Sequence, residues 1–267
     1  MAMKIPVLSL LLRYINNVQK KDNNYDIAKA LLTHYHDIPQ LNIHDMADKC
    51  FVSTASLSRF VRLLGFEDYP SFKKACESSI DINVDYSCEI SKAHKEDIKP
   101  IFQRYTSNIK ENMDYIFNHL DYQQLDRICK MIYESHSIAF FGLEFATLLG
   151  HHFQVKMADL NKFIKIGNSY IEQKEIADCL DENSVVIIAS LEGGYFYHND
   201  DILNILKAKK VKIIALTMNN SSLIKNSVDE IIVSSLYNSE TEGRISLLYM
   251  IELLLMYYVI NYKNISV

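Results

Sequence analysis

The sequence predicts a fold of class α + α/β, in which an all-helical domain precedes a domain built on a doubly wound parallel sheet. Three observations lead to this prediction. The 267 residues are long for one domain, and hydrophobic residues make up 49% of them, enough for two cores. The first eighty residues show only helical periodicity. Farther along, short apolar runs alternate with helical segments, as in a parallel sheet that is covered on both faces.

About five short helices are expected in the first eighty residues. Apolar residues at helical spacing around Leu11 and around Leu31 predict the first two. Asn42 and Ser53 are typical N-cap residues that mark the starts of the third and fourth helices, and the fifth begins near Pro70. The helical domain is therefore predicted to span residues 1–78.

A polar segment without periodicity, residues 79–96, is the predicted linker, and the α/β domain is predicted over 97–267. Two helices, over 98–119 and 121–134, precede the first strand. The predicted strands are continuous apolar runs, typical of buried parallel strands, over 137–142, 184–190, 211–217 and 230–234. Helices are expected between these strands, over 145–160, 198–209 and 222–227.

The charges are distributed unevenly between the two predicted domains. Residues 1–80 contain 10 Lys and Arg against 8 Asp and Glu, a balance of +2. The rest of the chain contains 18 against 25, a balance of −7. A basic domain on an acidic body is compatible with a small nucleic-acid-binding module, although scattered surface charge gives the same balance. The ordinary composition excludes intrinsic disorder and collagen-like repeats.

The cysteine pattern and the hydrophobic segments indicate a cytoplasmic protein. The five cysteines are widely spaced and form no Cys-x-x-Cys pair, so we expect neither a disulfide framework nor a metal site, and no cofactor. The N-terminus does not resemble a signal peptide. The apolar run Ile245–Ile260 contains Glu252 and is shorter than the ~20 residues that cross a bilayer, so we expect a buried helix and no membrane association.

Two predicted helices with a short turn between them, the first over Ile43–Lys49, form a candidate helix-turn-helix. A DNA-reading helix carries small polar side chains and arginines on the face that meets base edges and phosphates. The second helix has such a face, and it predicts the DNA-binding residues Ser53, Thr54, Ser56, Ser58, Arg59 and Arg62.

The stretch from Ile43 to Lys73 resembles the helix-turn-helix of RpiR-type bacterial transcriptional regulators. Twelve residues of that family's pattern occur here in order: Ile43, Ala47, Val52, Ser53, Ala55, Arg59, Phe60, Leu64, Gly65, Phe66, Phe72 and Lys73. The resemblance implies a homo-oligomer, dimer or tetramer, whose partner is a double-stranded DNA operator. The alternative is a helical interaction domain without a DNA role, in which Arg59 pairs locally.

The same resemblance implies that residues 97–267 form a SIS (sugar isomerase) domain, which in this family binds phosphosugars. Two loops hold the phosphate there, Gly-x-Gly-x-Ser after the first strand and Ser-x-Ser-Gly-x-Thr after a later one. Glycines admit backbone N–H groups to a phosphate, and hydroxyls donate to its oxygens. The matching loops supply the candidate effector-binding residues Gly142, Glu144, Thr147, Ser190, Glu192 and Gly193.

Both loops depart from the family pattern. Glu144 stands in place of a glycine and Glu192 in place of a serine, while Tyr195 replaces the threonine. A carboxylate ~4 Å from a phosphate charge is repelled by roughly 4 kcal/mol at an effective dielectric constant of 20. A phosphosugar in the usual pose is therefore disfavoured. Three alternatives remain: the cleft binds an uncharged or cationic ligand such as an amino sugar, it serves only dimerisation, or the carboxylates point into solvent.

The expected function is transcriptional regulation of carbohydrate metabolism genes by a protein that is not an enzyme. A sugar-phosphate isomerase is one alternative, because it needs a general base and Glu242, with Arg244 and His198, offers one. The altered phosphate loops disfavour that alternative. A SIS-like interaction protein that does not bind DNA is the other.

Overall fold

The computed structural model describes residues 7–18, 21–82, 90 and 92–263, without the side chains of 78–82. Contacts within the chain divide it into two compact units, Met1–Val84 and Asp85–Val267. The predicted linker, 79–96, begins inside a helix that continues to Ile82, and its residues 83–89 and 91 lie outside the described residues.

The described part of the first unit is entirely helical. Its helices are α1 (Val7–Asn17), α2 (Asn23–Thr33), α3 (Ile43–Lys49), α4 (Thr54–Leu63) and α5 (Tyr69–Ile82), with a 3-10 helix at Tyr35–Gln40. The N-cap side chains of Asn42 and Ser53 accept hydrogen bonds from N–H groups of the first turns of α3 and α4. One core joins the helices, with Leu11, Leu31, Met46, Leu57, Phe60 and Phe72 buried in it.

The second unit is a five-stranded sheet with helices on both faces. In chain order its elements are α6 (Ile98–Asn118), α7 (Tyr122–Glu134), β1 (Ser137–Gly142), α8 (Phe145–Ala158), β2 (Ile164–Ile166), α9 (Tyr170–Asp178), β3 (Ser184–Ala189), α10 (Gly194–His198), α11 (Asp200–Ala208), β4 (Lys212–Thr217), α12 (Ser222–Lys225), β5 (Glu230–Val233) and α13 (Glu242–Tyr262). All strand pairs are parallel, in the order β2-β1-β3-β4-β5. The predicted fold class is confirmed.

Alternate residues of the strands fill two cores, one on each face of the sheet. Phe140 and Ile187 pack with α7, α8 and α13 on one face. Their neighbours Phe141 and Ile188 pack with α10 and α11 on the other. Because both faces are buried, the central positions of β1, β3 and β4 are apolar on both sides of the strand, and this is why these strands appear in the sequence as uninterrupted runs.

The last helix is longer than the apolar run that predicted it. α13 has 21 residues and, by length and composition alone, could cross a membrane. One stripe of it, including Leu247, Ile251 and Leu254, is buried in the core of the second unit. The opposite stripe is apolar but exposed, so the helix is buried on one side only.

Three of the named helices and strands of the second unit, β2, α9 and α10, were not predicted. β2 has only three residues and α9 has nine, too few to give a clear periodicity. The predicted helix 198–209 corresponds to α11, and the short α10 before it ends at His198, because Asn199 leaves helical geometry between the two.

Candidate functional sites

The outward face of α4 is the candidate DNA-reading surface. Leu57, Phe60 and Val61 are buried, which places Arg59 and Arg62 on the exposed side of the helix. The three other helical residues that were predicted to bind DNA, Thr54, Ser56 and Ser58, are half-buried at the flanks of this side. Ser53 is the N-cap, and its Oγ accepts the Ser56 N–H at 3.2 Å, which gives Ser53 a structural role as well.

Both arginines of this face make local contacts. Arg59 Nη2 donates to Ser56 Oγ at 3.3 Å, and Arg62 Nε donates to the Glu67 carbonyl at 3.3 Å. These exposed bonds are long and face solvent, so a phosphate oxygen competes easily for either guanidinium. Ala55 was not among the predicted DNA-binding residues, but it is exposed on the same face as the two arginines, where a small side chain permits close approach to a base pair.

A groove of about 340 Å³ adjoins this face and was not predicted. It is lined by Ser56, Arg59 and Leu63 of α4 and by Asn23 and Asn24 at the start of α2. Because α2 is about thirty residues away in the chain, no local pattern could have placed its amides beside Arg59.

The turn between α3 and α4 has an unusual residue at its tightest point. Val52 N–H bonds to the Ala47 carbonyl and Phe51 N–H to the Asp48 carbonyl, the hydrogen-bond pattern that closes a helix when the next residue is left-handed. That residue is Phe51, with φ of 55°, where glycine is common. Its side chain is 95% exposed, so burial does not offset the strain.

The candidate effector cleft lies where the winding of the sheet in the second unit reverses. From β1 the chain passes to β2 on one side and then to β3 on the other, so the crevice opens at the carboxyl ends of β1 and β3. Gly142 and Ala189, the last residues of these strands, are paired in register. The loops that follow them, 142–147 and 190–195, are the two loops that the sequence singled out.

The first loop is a tight turn. Ala146 N–H bonds to the Leu143 carbonyl at 2.9 Å, and Glu144 has φ 48° and ψ −111°. These angles belong to the second position of a type II′ turn, which glycine dominates. The structure thus explains why the family pattern has glycine there, and it shows that Glu144 keeps the turn at a cost in strain. The Thr147 hydroxyl donates back to the Gly142 carbonyl at 3.0 Å.

The second loop is fixed by Ser190 and Gly193. Tyr195 N–H donates to Ser190 Oγ at 3.0 Å. Gly193 has φ of +84°, and an added Cβ would lie 2.7 Å from Ile224 Cδ1, so both backbone angle and space require glycine. Glu192 is exposed, and its Oε1 accepts a hydrogen bond of 2.7 Å from Asn238 Nδ2.

Tyr195, which stands in place of the family threonine, is buried, and its hydroxyl is already bonded. Its hydroxyl donates to Gln173 Oε1 at 2.7 Å, and both side chains are buried. Burial raises the pKa of Tyr195. Gln173 Nε2 in turn donates to the Gly142 and Gly167 carbonyls at 2.8 and 2.9 Å, so one buried amide connects the two loops.

Glu242, the candidate general base of the isomerase alternative, is held as a buried anion. Glu242 is fully buried and accepts hydrogen bonds from Asn108 Nδ2, from Ser239 N and Oγ, and from Glu240 N, at 2.8–3.2 Å. Burial by itself raises the pKa of Glu242, but these donors outweigh it and hold the pKa below its ordinary value. Arg244 lies with its guanidinium 5.5 Å from the centre of the Phe145 ring.

Comparison with known proteins matches both units to described domains. A profile of the helix-turn-helix domain of the rpiR family matches residues 9–81, and a profile of the SIS domain matches residues 131–257. An uncharacterized HTH-type transcriptional regulator of Haemophilus influenzae is 24% identical over 223 residues, which are 81% of this chain and 76% of that protein. HexR, an HTH-type transcriptional regulator of Escherichia coli, is 22% identical over 75% of this chain and 69% of its own.

Solved structures share the fold at low sequence identity. NanR of Vibrio vulnificus, complexed with ManNAc-6P, has a TM-score of 0.53 at 16% identity and covers 96% of this chain and 92% of its own. The sugar isomerase domain of an RpiR transcription factor from Sphaerobacter thermophilus has a TM-score of 0.51 at 16% identity, over 59% of this chain and 88% of its own. With a helix-turn-helix domain of the rpiR family joined to a SIS domain, the chain belongs to the RpiR-type transcriptional regulators.

Proposed function

We propose that this regulator binds operator DNA through the outward face of α4. The observation that carries the proposal is the exposed pair Arg59 and Arg62 on a helix whose opposite side is buried. Half-buried Ser56 and Ser58 flank them, and the family membership supports a DNA partner. In this assignment the arginines contact phosphates or guanine edges, and the serines pack against the groove walls.

Binding to duplexes that the protein itself selects from a random library tests this proposal. Arg59→Ala and Arg62→Ala should each weaken binding by about 1–3 kcal/mol, and each should lower the salt slope by about one if the arginine neutralises a phosphate. Lys74→Ala, which removes an exposed charge from α5, is the matched control and should change affinity little. Equal losses of affinity for all three variants would refute the assignment to α4.

We propose that the crevice between loops 142–147 and 190–195 binds a sugar-derived effector, so that the regulated genes serve carbohydrate metabolism. Support comes from the retained Ser190 and Gly193 and from NanR, which was solved with a phosphosugar. The glutamates at 144 and 192 favour an uncharged or amino sugar over a phosphosugar.

Thermal unfolding against a panel of sugars tests the effector proposal, since a ligand at a hundred times its Kd adds about 2.7 kcal/mol. Stabilisation by amino or unphosphorylated sugars, but not by their phosphates, is expected. Stabilisation by phosphosugars alone would contradict the proposed class, and no stabilisation by any sugar would contradict the effector site.

We propose that the protein is a homo-oligomer that uses the exposed apolar stripe of α8 and α13. This stripe consists of Leu148, Val155, Leu248, Met256, Val259 and Ile260. His152 and Glu252, which lie within the same two helical faces, are hydrogen-bonded to each other and so bring the faces together. Exposed apolar patches of this kind are typical of subunit interfaces.

Light scattering coupled to gel filtration tests the oligomer. Val155→Glu and Met256→Glu should yield monomers, because each would bury a charge in the interface. Phe163→Glu, at a residue that is 73% exposed outside the stripe, is the control and should leave the mass unchanged. Oligomers that persist in both stripe variants would refute this surface.

We propose further that the protein acts in the cytoplasm and is not an enzyme. The bonds that occupy Glu242 and its lowered pKa make it a poor proton acceptor. The SIS fold alone does not decide the matter, since a Listeria monocytogenes protein described as a candidate sugar-phosphate isomerase shares the fold with a TM-score of 0.53 at 13% identity. Aldose–ketose interconversion by the purified protein would contradict the proposal.

A further inference from the structure

The segment that follows β5 is held in place by one residue of α6. Asn112 is fully buried, and its Nδ2 donates to the Tyr237 carbonyl at 2.9 Å. Its Oδ1 accepts the N–H groups of Leu236 and Tyr237 at 2.8 and 2.9 Å. A buried amide that satisfies three backbone groups fixes the path of that backbone, because any other path leaves them unpaired.

Three more residues of α6 extend the same contact. Asn108 Nδ2 donates to Glu242 Oε1 at 2.9 Å, the Tyr105 hydroxyl lies 3.0 Å from Thr241 Oγ1, and Arg104 lies 4.0 Å from Glu240. Residues 104, 105, 108 and 112 share one face of a helix, so this face of α6 is occupied by the segment 236–242.

The same segment reaches the second loop of the effector cleft. Asn238 Nδ2 donates to Glu192 Oε1 at 2.7 Å. A Cβ on Gly243 would lie 2.5 Å from Leu191 Cδ2, so glycine permits the close approach of the two chain segments. Glu192 and Leu191 therefore rest on a segment whose backbone is set by α6.

We propose that α6 positions the effector cleft. Through its hydrogen bond to Glu192, Asn238 makes the contacts of α6 depend on whether a ligand occupies the Glu192 carboxylate. A ligand that takes the Glu192 carboxylate competes with Asn238 for it, and the freed segment loosens its contacts with Asn108 and Asn112. α6 is also the first long helix after the DNA-binding unit in chain order, and in this proposal a change in α6 passes along the chain toward that unit. This inference rests on the proposed effector site. The coupling requires two arrangements of the segment 236–242, one bonded to Glu192 and one released from it.

Two asparagines that donate to Glu192, one to its carboxylate and one to its backbone carbonyl, provide a matched test. Asn238→Ala removes the bond on the α6 side. Asn219→Ala removes a bond of 2.9 Å from Asn219 Nδ2 to the Glu192 carbonyl, on the side of β4. Asn238 is half-buried, so its loss is less disruptive than the loss of Asn112. Amide hydrogen exchange of the full-length variants is followed peptide by peptide by mass spectrometry.

Asn238→Ala should speed exchange at least threefold in 236–242 and in the part of α6 that holds it, 104–112. Asn219→Ala should speed exchange only around 190–194 and 218–222. A general loss of stability would instead speed exchange in all peptides of both variants. The same response of α6 to both variants, or none to either, would overturn the proposal.

Affinity for duplexes selected by the wild-type protein is the second readout. Asn238→Ala should change it at least about fivefold, the lower end of ordinary allosteric coupling, and Asn219→Ala by less than about twofold. An unchanged affinity in Asn238→Ala would refute transmission to the DNA-binding unit. If the wild-type protein selects no duplex, the proposed DNA function fails, and the exchange of α6 alone decides whether it positions the cleft.

Discussion

Replacement of Glu144 by glycine should stabilise the protein, although it removes a whole side chain. Glu144 occupies a glycine position of a type II′ turn, with φ 48° and ψ −111°. A residue held in such a sparsely populated region costs about 1–3 kcal/mol. Glycine avoids this cost but loses roughly 0.5–1 kcal/mol to its larger backbone entropy in the unfolded chain. The middle of these two ranges leaves a net gain of about 1 kcal/mol.

The decisive comparison is between Glu144→Gly and Glu144→Ala. Alanine removes the carboxylate and its contacts but keeps Cβ, and therefore keeps the strain, so the difference between these variants isolates the backbone. Urea and thermal unfolding, followed by circular dichroism, should give the glycine variant the higher midpoint, by about 2–4 °C for each kcal/mol in a domain of this size.

A position where glycine should do harm provides the control. Ala158 is exposed at the end of α8, and Ala158→Gly should cost up to about 1 kcal/mol, because glycine disfavours helix. If Glu144→Gly is no more stable than Glu144→Ala while Ala158→Gly behaves as expected, the assigned turn geometry is wrong.

Three further predictions follow from single residues. Phe51→Gly should be more stable than Phe51→Ala by about 1 kcal/mol of unfolding free energy, because φ of 55° favours glycine and the exposed ring loses little burial. A lower thermal midpoint for the glycine variant would contradict this. Gly193→Ala should destabilise the protein by about 1–3 kcal/mol, through its φ of +84° and the contact with Ile224, and an unchanged urea midpoint would show that the loop adjusts. Glu242→Gln should lower stability at neutral pH and flatten its acid dependence. Because the folded pKa of Glu242 lies below the unfolded value of about 4.3, its contribution is present above that pH and is lost as the pH falls through the folded pKa. Parallel stability–pH curves for the two proteins would refute this.

The sequence predicted those features that depend on local pattern. β1, β3, β4 and β5 were evident as apolar runs because both faces of the sheet are covered. β2 was not, because three residues carry no periodicity. In the same way, the departures at 144, 192 and 195 were visible as substitutions, but their consequences depend on contacts distant in sequence. Asn238 lies 46 residues from Glu192, and Gln173 lies 22 residues from Tyr195.

These distant contacts decide how the altered loops treat a phosphate. The substituted Tyr195 hydroxyl is bonded to Gln173, and the Thr147 hydroxyl donates to the Gly142 carbonyl, so neither is aimed at a ligand. Ser190 Oγ accepts the Tyr195 N–H, which leaves its own proton for donation. One hydroxyl bond to an anion contributes ~1.5–3 kcal/mol, whereas a single carboxylate ~4 Å away opposes it by roughly 4 kcal/mol. A phosphate that lies this close to Glu192 therefore gains too little from the loop to overcome the glutamate, while an ammonium or a neutral hydroxyl meets no such opposition. Glu192→Ser is therefore the most direct way to restore phosphosugar binding, since it removes the carboxylate and returns a donor in one step. Failure of that variant to bind any phosphosugar that the wild-type protein rejects would place the obstacle elsewhere in the cleft.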